Sequence, residues 1–268
     1  MLGVHTNYAS IVAQGAVNKS NNLLTNAMER LSTGLRINSA SDDAAGLQIA
    51  NRMSANVKGM ETASRNISDA TSMLQTADGA LEELTTIANR QKELATQAAN
   101  GVNSADDLTA LDAEFQQLSL EVDRIAKNTT YAGNNLFTAI DGGVTFQIGA
   151  GTSETMKVTS AAPVALANTV KLDTGDNARL AITAVDDFIK TVGTSRSTLG
   201  ANINRLGHTA ANLASVTENT KAAAGRIMDA DFAVESANMT RNQLLVQAGT
   251  TVLSSANQNT GLVMGLLR

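Results

Sequence analysis

Residues 53–98 read MSANVKGMETASRNISDATSMLQTADGALEELTTIANRQKELATQA, and this stretch decides the fold. Apolar side chains recur in it at alternating intervals of four and three residues, the heptad pattern of a helix with one long apolar seam. The seam positions are Met53, Asn56, Met60, Ala63, Ile67, Ala70, Leu74, Ala77, Leu81, Leu84, Ala88, Gln91, Ala95 and Ala98. Only Gly59 and Gly79 weaken the pattern. We therefore expect one helix from about Asp42 to Asn100, roughly 70–80 Å long at 1.5 Å per residue.

A helix of this length needs partner helices along its seam, and the chain on both sides of it supplies them. Residues 104–127 form a shorter apolar seam after the loop at Asn100-Gly101, which predicts an antiparallel hairpin. A second long seam begins near Asp176. Its seven-residue line is Val185, Val192, Leu199, Leu206, Leu213, Thr220 and Ile227, and the partners four positions further on are Ile189, Arg196, Ile203, Ala210, Thr217 and Ala224. The simplest packing is a bundle of these three helices.

The remaining segments complete the fold class. An amphipathic helix is predicted from Thr6 to Ser32, with Gly34 as its left-handed C-terminal residue and with Ser41 or Asp42 capping the next helix. Glycines punctuate residues 128–151, and alternating apolar residues predict a β-hairpin near 134–160, whereas Pro163 excludes regular helix around it. The chain is thus expected to be mainly α: a long antiparallel helical coiled-coil bundle from the N- and C-terminal halves, with a small β-hairpin.

Composition narrows the class of protein. Aromatic residues make up 3% of the chain, Trp and Cys are absent, and the formal net charge is −5. Few bulky residues suit thin interfaces between long helices, and the charge gives no reason to expect a nucleic-acid partner. The first twenty residues lack the features of a cleavable signal peptide, and no apolar run is long enough for membrane insertion.

The search for catalytic or binding chemistry finds no site. His5 and His208 lie far apart in sequence, so neither is expected to be a metal ligand. The acidic pairs Glu82-Glu83 and Asp186-Asp187 fall on helix flanks, where solvated charge is the usual role. No motif of a phosphate loop, zinc protease or serine hydrolase occurs. We therefore expect no catalytic, cofactor-binding or metal residues, no cofactor and no enzymatic activity.

The two ends of the chain share an unusual character. Residues 1–18 and 242–267 contain no formally charged side chain, and the latter run is too rich in Gln, Asn and Ser for a membrane helix. Uncharged helices suit subunit interfaces because apolar groups resist desolvation less than charges do. The residues predicted to mediate polymerisation are Val17, Leu24, Leu31, Phe232, Met239, Val246, Leu253 and Leu267.

Several strings resemble those of a known family. Residues 30–52, RLSTGLRINSASDDAAGLQIANR, are similar to the N-terminal signature of bacterial flagellin. The strings IMDADF (227–232), SANM (236–239), QAGT (247–250) and ANQ (256–258) resemble its C-terminal half. The resemblance implies a structural subunit that self-assembles as a helical homopolymer into the extracellular flagellar filament, serves swimming motility and leaves the cell unfolded by type III export.

The resemblance also implies a domain layout, partners and one recognition site. Residues 1–40 with 227–268 would form the inner-tube domain, and residues 41–226 the outer-layer domain, with no further outer domain. The implied partners are other copies, hook–filament junction and filament cap proteins, an export chaperone and Toll-like receptor 5. Arg90, Leu94 and Glu114 match the positions used for receptor recognition and subunit contact, with Arg90 and Leu94 expected on the outer face of the helix. Two alternatives stay open: a hook–filament junction protein of the same family, and a cytoplasmic coiled-coil adaptor.

Overall fold

A computed structural model describes residues 6–161 and 170–266, with side chains as far as residue 258. Two predicted features, Pro163 and Leu267, lie outside the described residues. The helices of the described part are α1 (Tyr8–Thr33), α2 (Ala44–Ala98), α3 (Ala105–Asn128), α4 (Leu136–Gly142), α5 (Gly175–Met228) and α6 (Phe232–Leu266). The strands are β1 (Thr130–Tyr131), β2 (Asn134–Asn135), β3 (Val144–Gln147) and β4 (Thr155–Val158). The mainly α fold with a small β-hairpin is confirmed.

The chain divides into two compact units. Residues 1–55 and 219–268 form one, which we call the terminal unit, and residues 56–218 form the other, the middle unit. No helix among the described residues is both long enough and apolar enough to cross a membrane.

The core of the middle unit is the seam of α2. Every seam position from Met60 to Ala98 is buried, whereas Met53 is half-buried and Asn56 is exposed. The predicted seam is therefore correct from Met60 onward. Met73, Ile87 and Leu94, each one residue before a seam position, are buried too, because α2 has both α3 and α5 as neighbours in this unit.

The opposing seam on α5 differs in detail from the predicted one. Its seven-residue line is buried from Val185 to Leu213, as expected. The fully buried partners lie three positions further on, at Phe188, Ser195 and Asn202. The predicted partners four positions further on are half-buried, and Ile189, Ile203 and Ala210 among them pack against the core. Positions three and four residues ahead lie on the same side of a helix. The polar side chains of Ser195 and Asn202 can be buried there because each bonds to a backbone carbonyl. Ser195 Oγ donates to Ala161 O at 3.2 Å and Asn202 Nδ2 to Thr198 O at 2.9 Å.

Two small elements between α3 and β3 escaped sequence analysis. Strands β1 and β2 are joined through Ala132 and Gly133, which both have positive φ (50° and 85°) as a two-residue type I′ turn requires. The short helix α4 then buries its apolar residues, Leu136, Phe137 and Ile140. Strands β3 and β4 pair antiparallel, with Val144 opposite Val158, so the predicted hairpin is confirmed.

The terminal unit is an antiparallel pair of helices, α1 and α6. At the start of α1, Asn7 Nδ2 donates to Ala256 O at 2.8 Å, and near the end of α1 the Arg30 guanidinium lies 3.1 Å from the Glu235 carboxylate. Gly34 ends α1 with φ 72°, as predicted, and its N–H donates to Arg30 O. These contacts fix the register of the two helices at both ends.

The connectors on either side of this helix pair are also joined. Leu35 forms a β-bridge with Asp229, and the Arg36 N–H donates to Met228 O at 2.6 Å. The predicted cap of α2 was wrong by one residue, since Asp43 accepts the Gly46 N–H at 2.8 Å. Asp42 instead accepts three bonds, two from Ser39 and one from Asn38, and these bonds hold the pKa of its carboxyl below the ordinary value.

Candidate functional site

The residues predicted to mediate polymerisation lie mostly between α1 and α6 of the same chain. Those with described side chains, apart from Phe232, are half-buried: Val17, Leu24, Leu31, Met239, Val246 and Leu253. Their spacing continues through the buried Ala13, Ala27 and Asn242. Gly249 faces Val17 so closely that a Cβ on the glycine would lie 2.5 Å from Val17 Cγ2. The seven-residue line therefore forms the seam inside the helix pair.

A second set of large apolar side chains lies on the outside of this helix pair, and we call it the outer apolar set. Each member is between 46% and 78% exposed. Its members are Tyr8, Ile11, Val12, Leu23, Met28, Phe232, Val234, Leu244, Leu245 and Val252. Sequence analysis identified only Phe232 of this set, because counting in sevens follows a single line on each helix.

A signal for the outer apolar set was present in the sequence. Adjacent residues on a helix point about 100° apart, so one side chain of an adjacent apolar pair lies outside a narrow seam. The terminal helices contain several such pairs: Val12-Ala13, Leu23-Leu24, Leu245-Val246 and Val252-Leu253. In each pair the second residue lies in the seam and the first is exposed. The excess of apolar residues over one stripe thus indicates a second contact surface.

The terminal unit buries little apolar volume of its own. In its described part, the buried apolar side chains are Ala13, Ala27, Ile37 and Ala50. The middle unit instead buries large side chains such as Phe115, Leu136 and Leu172. A helix pair stabilised mainly by alanines and half-buried residues has a weak core, because apolar stabilisation is proportional to the area removed from water.

The segment matched to receptor recognition is a charged surface of the middle unit. Arg90 Nη2 lies 2.8 Å from Glu114 Oε1 on α3, and Arg90 Nη1 lies 3.0 Å from Glu93 Oε2. The bonds that Arg90 donates to Glu114 and then to Glu93 raise the pKa of its guanidinium above the ordinary value. Leu94 is only 1% exposed, so its expected place on the outer face is wrong. Leu94 lies four residues after Arg90, on the side of α2 from which Arg90 reaches Glu114 of α3, and this side is covered.

One member of each acidic pair considered in the sequence has a structural partner. Asp186 lies 2.5 Å from Lys92, and Arg196 binds Asp78 at 2.8 Å and Glu82 at 3.5 Å. These ion pairs join α2 to α5. Within residues 6–161 and 170–266, no three His, Asp or Glu side chains come together in a group that could hold a metal ion.

The chain has long helical seams, a weakly packed terminal helix pair and an outer apolar set. Together these are the features of a self-associating helical structural protein. Two family models match the chain: the bacterial flagellin N-terminal helical region over residues 4–141, and the bacterial flagellin C-terminal helical region over residues 182–267. The chain therefore belongs to the bacterial flagellin family, whose members are structural proteins.

Individual relatives agree with this assignment. The chain is 44% identical over 248 residues to a flagellin of Halalkalibacterium halodurans, covering 90% of this chain and 91% of that protein. It is 36% identical to flagellin FlaB2 of Treponema pallidum, with 99% of both chains covered. The crystal structure of Bacillus cereus flagellin is 35% identical with a TM-score of 0.51, over 56% of this chain and 88% of that one. A putative flagellar hook-associated protein from Vibrio parahaemolyticus, at 13% identity and TM-score 0.60, shares the fold over 70% of this chain and 100% of its own.

Proposed function

We propose that copies of this chain assemble into the flagellar filament by packing the outer apolar set of one copy against the terminal helices of its neighbours. The observation behind this proposal is the contrast within the terminal unit. Large apolar side chains are exposed on its surface while its own core contains mostly alanine. Fully burying one such side chain contributes roughly 1.5–3 kcal/mol, so assembly would supply the stabilisation that the isolated helix pair lacks.

The charge distribution supports the same arrangement. No formally charged residue occurs between Thr6 and Asn18, or between Asn242 and Leu266. The one ion pair of the described α1–α6 seam, Arg30 with Glu235, lies at the end of the helix pair nearest the connectors. Copies can therefore approach along most of the terminal helices without desolvating a charge.

Two leucines of nearly equal exposure provide the test. Leu245 on α6 is 49% exposed and Leu120 on α3 is 52% exposed. Leu245→Asp should raise the concentration at which filaments sediment by about a hundredfold, since burying one unpaired carboxylate costs several kcal/mol. Leu120→Asp is the matched control and should leave sedimentation unchanged. Equal behaviour of the two variants would show that the terminal helices are not the assembly surface.

The domain layout and the external partners of the chain are further parts of the proposal. We infer that residues 1–40 with 227–268 form the inner tube of the filament and residues 41–226 the surrounding layer. We infer that the chain is exported unfolded by the type III route, with a chaperone protecting its C-terminal segment, and acts outside the cell for swimming motility. Hook–filament junction and filament cap proteins would contact the ends of the polymer. The family resemblance supports each of these inferences.

Recognition by Toll-like receptor 5 is proposed for the surface around Arg90 and Glu114. Both side chains are exposed and hold each other in one geometry, whereas Leu94 would act by packing beneath them. Arg90→Ala should weaken receptor activation by monomeric protein. Lys92→Ala, two residues further along α2 and paired with α5, is the control. Equal loss in both variants would indicate a nonspecific effect of surface charge.

A further inference from the structure

Met28 differs from the other methionines with described side chains. It is 47% exposed, whereas Met60, Met73 and Met156 are buried and Met53, Met228 and Met239 are half-buried. The thioether of an exposed methionine is accessible to oxidants, and a buried one is protected by its packing. The unassembled chain therefore presents one methionine, among those described, that is both accessible and part of the outer apolar set.

We propose that Met28 is an oxidation site through which peroxides reversibly block assembly, an inference that rests on the proposed function of the outer apolar set. In the step, a lone pair of Met28 Sδ attacks one oxygen of hydrogen peroxide. The S–O bond forms as the O–O bond breaks and sulfur loses two electrons. The transferred oxygen gives up its proton, and the departing hydroxide takes up a proton and leaves as water. The product is methionine sulfoxide, which is polar where the thioether was apolar.

The surroundings of Met28 determine the effect of the added oxygen. Its helical neighbours on the seam side are Leu24 and Leu31, which offer only apolar surface to it. Thr25, three residues before it, already donates its hydroxyl to Asn21 O at 3.0 Å. Ser32, four residues after Met28, is exposed and is the neighbour whose hydroxyl can reach the new oxygen. A sulfoxide pressed against a second copy of the chain still replaces an apolar contact by a strongly polar group, which is costly to bury.

The oxidation of Met28 can be reversed chemically. Methionine sulfoxide is returned to methionine by sulfoxide reductases that use a dithiol as reductant, so the block lasts only while oxidised chain persists. Assembled copies would resist the reaction because Met28 is then covered. Oxidation thus acts on chain that has not yet joined the polymer.

The experiment uses the full chain below its assembly concentration, treated with hydrogen peroxide and digested for mass mapping. Met28 should be oxidised at least tenfold faster than Met60, Met73 and Met156. Oxidised chain should then need about ten times more protein to form sedimentable filaments, and the two sulfoxide reductases together, one for each sulfoxide epimer, should reverse this with dithiothreitol. Equal oxidation of Met28 and the buried methionines, or unchanged assembly after Met28 is fully oxidised, would overturn the proposal.

Variants separate this proposal from the proposed function. Each variant is compared with its own untreated sample: peroxide should leave the assembly concentration of Met28→Leu where it was before treatment, whereas that of Met53→Leu should rise about tenfold. Loss of assembly in peroxide-treated Met28→Leu would assign the block to another methionine and refute the role of Met28. Failure of untreated wild-type chain to form filaments would instead refute the proposed function.

Discussion

Gly59 offers the sharpest test of the packing between α2 and the β3–β4 hairpin. This glycine lies inside a helix, where glycine costs about 1 kcal/mol relative to alanine. A Cβ built on it would lie 2.9 Å from Ala150 Cβ at the tip of the hairpin. Nearby, Asn66 Nδ2 donates to Gln147 O at 3.2 Å and holds the same tip on the helix. This close approach explains why residue 59 is a glycine in spite of the cost to the helix.

The expected effect of Gly59→Ala is a sum of two opposing contributions. The helix gains about 1 kcal/mol from the better helix former. Carbon atoms in contact prefer a separation of about 3.5–4.0 Å, so the hairpin tip must move by about 0.6–1.1 Å. Overpacking of this kind costs about 1–3 kcal/mol, and the shift also stretches the bond from Asn66. We expect a net destabilisation of about 1 kcal/mol.

Gly79 is the control, because it lies in the same helix and a Cβ added to it would meet nothing within 4 Å apart from the backbone of its own helix. Gly79→Ala should stabilise the chain by about 1 kcal/mol, so the two variants should differ by about 2 kcal/mol and about 4–8 °C in melting temperature. Urea and thermal unfolding of unassembled chain, followed by helical circular dichroism, measure both. Adding Ala150→Gly to the Gly59→Ala variant should recover the lost stability. Equal stabilisation by both single variants would refute the close-contact explanation.

Three further outcomes follow from named contacts. Glu235→Ala leaves Arg30 without its partner and should weaken the α1–α6 pair by about 2 kcal/mol. Filaments of this variant should melt at a lower temperature, and an unchanged melting temperature would contradict this. Asp107 has its pKa held below the ordinary 3.8 by bonds from Ser104, so its contribution to stability is present above about pH 4 and lost as the pH falls further. Acid titration of unfolding should show a smaller loss in Asp107→Asn than in wild type, and an identical loss would exclude the capping box as its source. Gln91→Met removes a buried side-chain oxygen that has no hydrogen-bond partner, so it should stabilise the middle unit by about 1 kcal/mol. Urea unfolding measures this, and a lower stability of the variant would show that the bond from Gln91 to Ser119 dominates.

The long helices could be predicted because their burial follows one period over many turns. Every seam position from Met60 to Ala98 is buried, so the same prediction is confirmed at each turn of the helix. On α5 the fully buried partners lie three positions ahead and the predicted ones four positions ahead are half-buried, because both offsets fall on the same side of a helix. Only the position of the partner helix decides between Ser195 and Arg196. That information lies in tertiary packing and not in the period.

The short elements and the capping residue were harder for a different reason. Helix α4 has only two turns, so its apolar residues do not establish a period, and the turn at Ala132-Gly133 places a non-glycine residue at positive φ. Asp42 and Asp43 are chemically identical candidates for a cap, and the choice depends on where the connector from Gly34 turns. Leu94 was misplaced because a helix with two neighbours buries more than its a/d seam.

In the proposed filament, the two apolar surfaces of the terminal helices would connect folding to assembly. The α1–α6 seam leaves Val17, Leu24 and Val246 half-buried, so this helix pair gains only part of its available apolar stabilisation within one chain. Partners that bind only the folded form stabilise it by mass action. Copies that cover the outer apolar set would therefore also favour α1 packed on α6, and both surfaces would become ordered together. Strong amide protection of residues 6–33 in dilute, unassembled chain would contradict this coupling, because it would show that α1 is already stable without neighbouring copies.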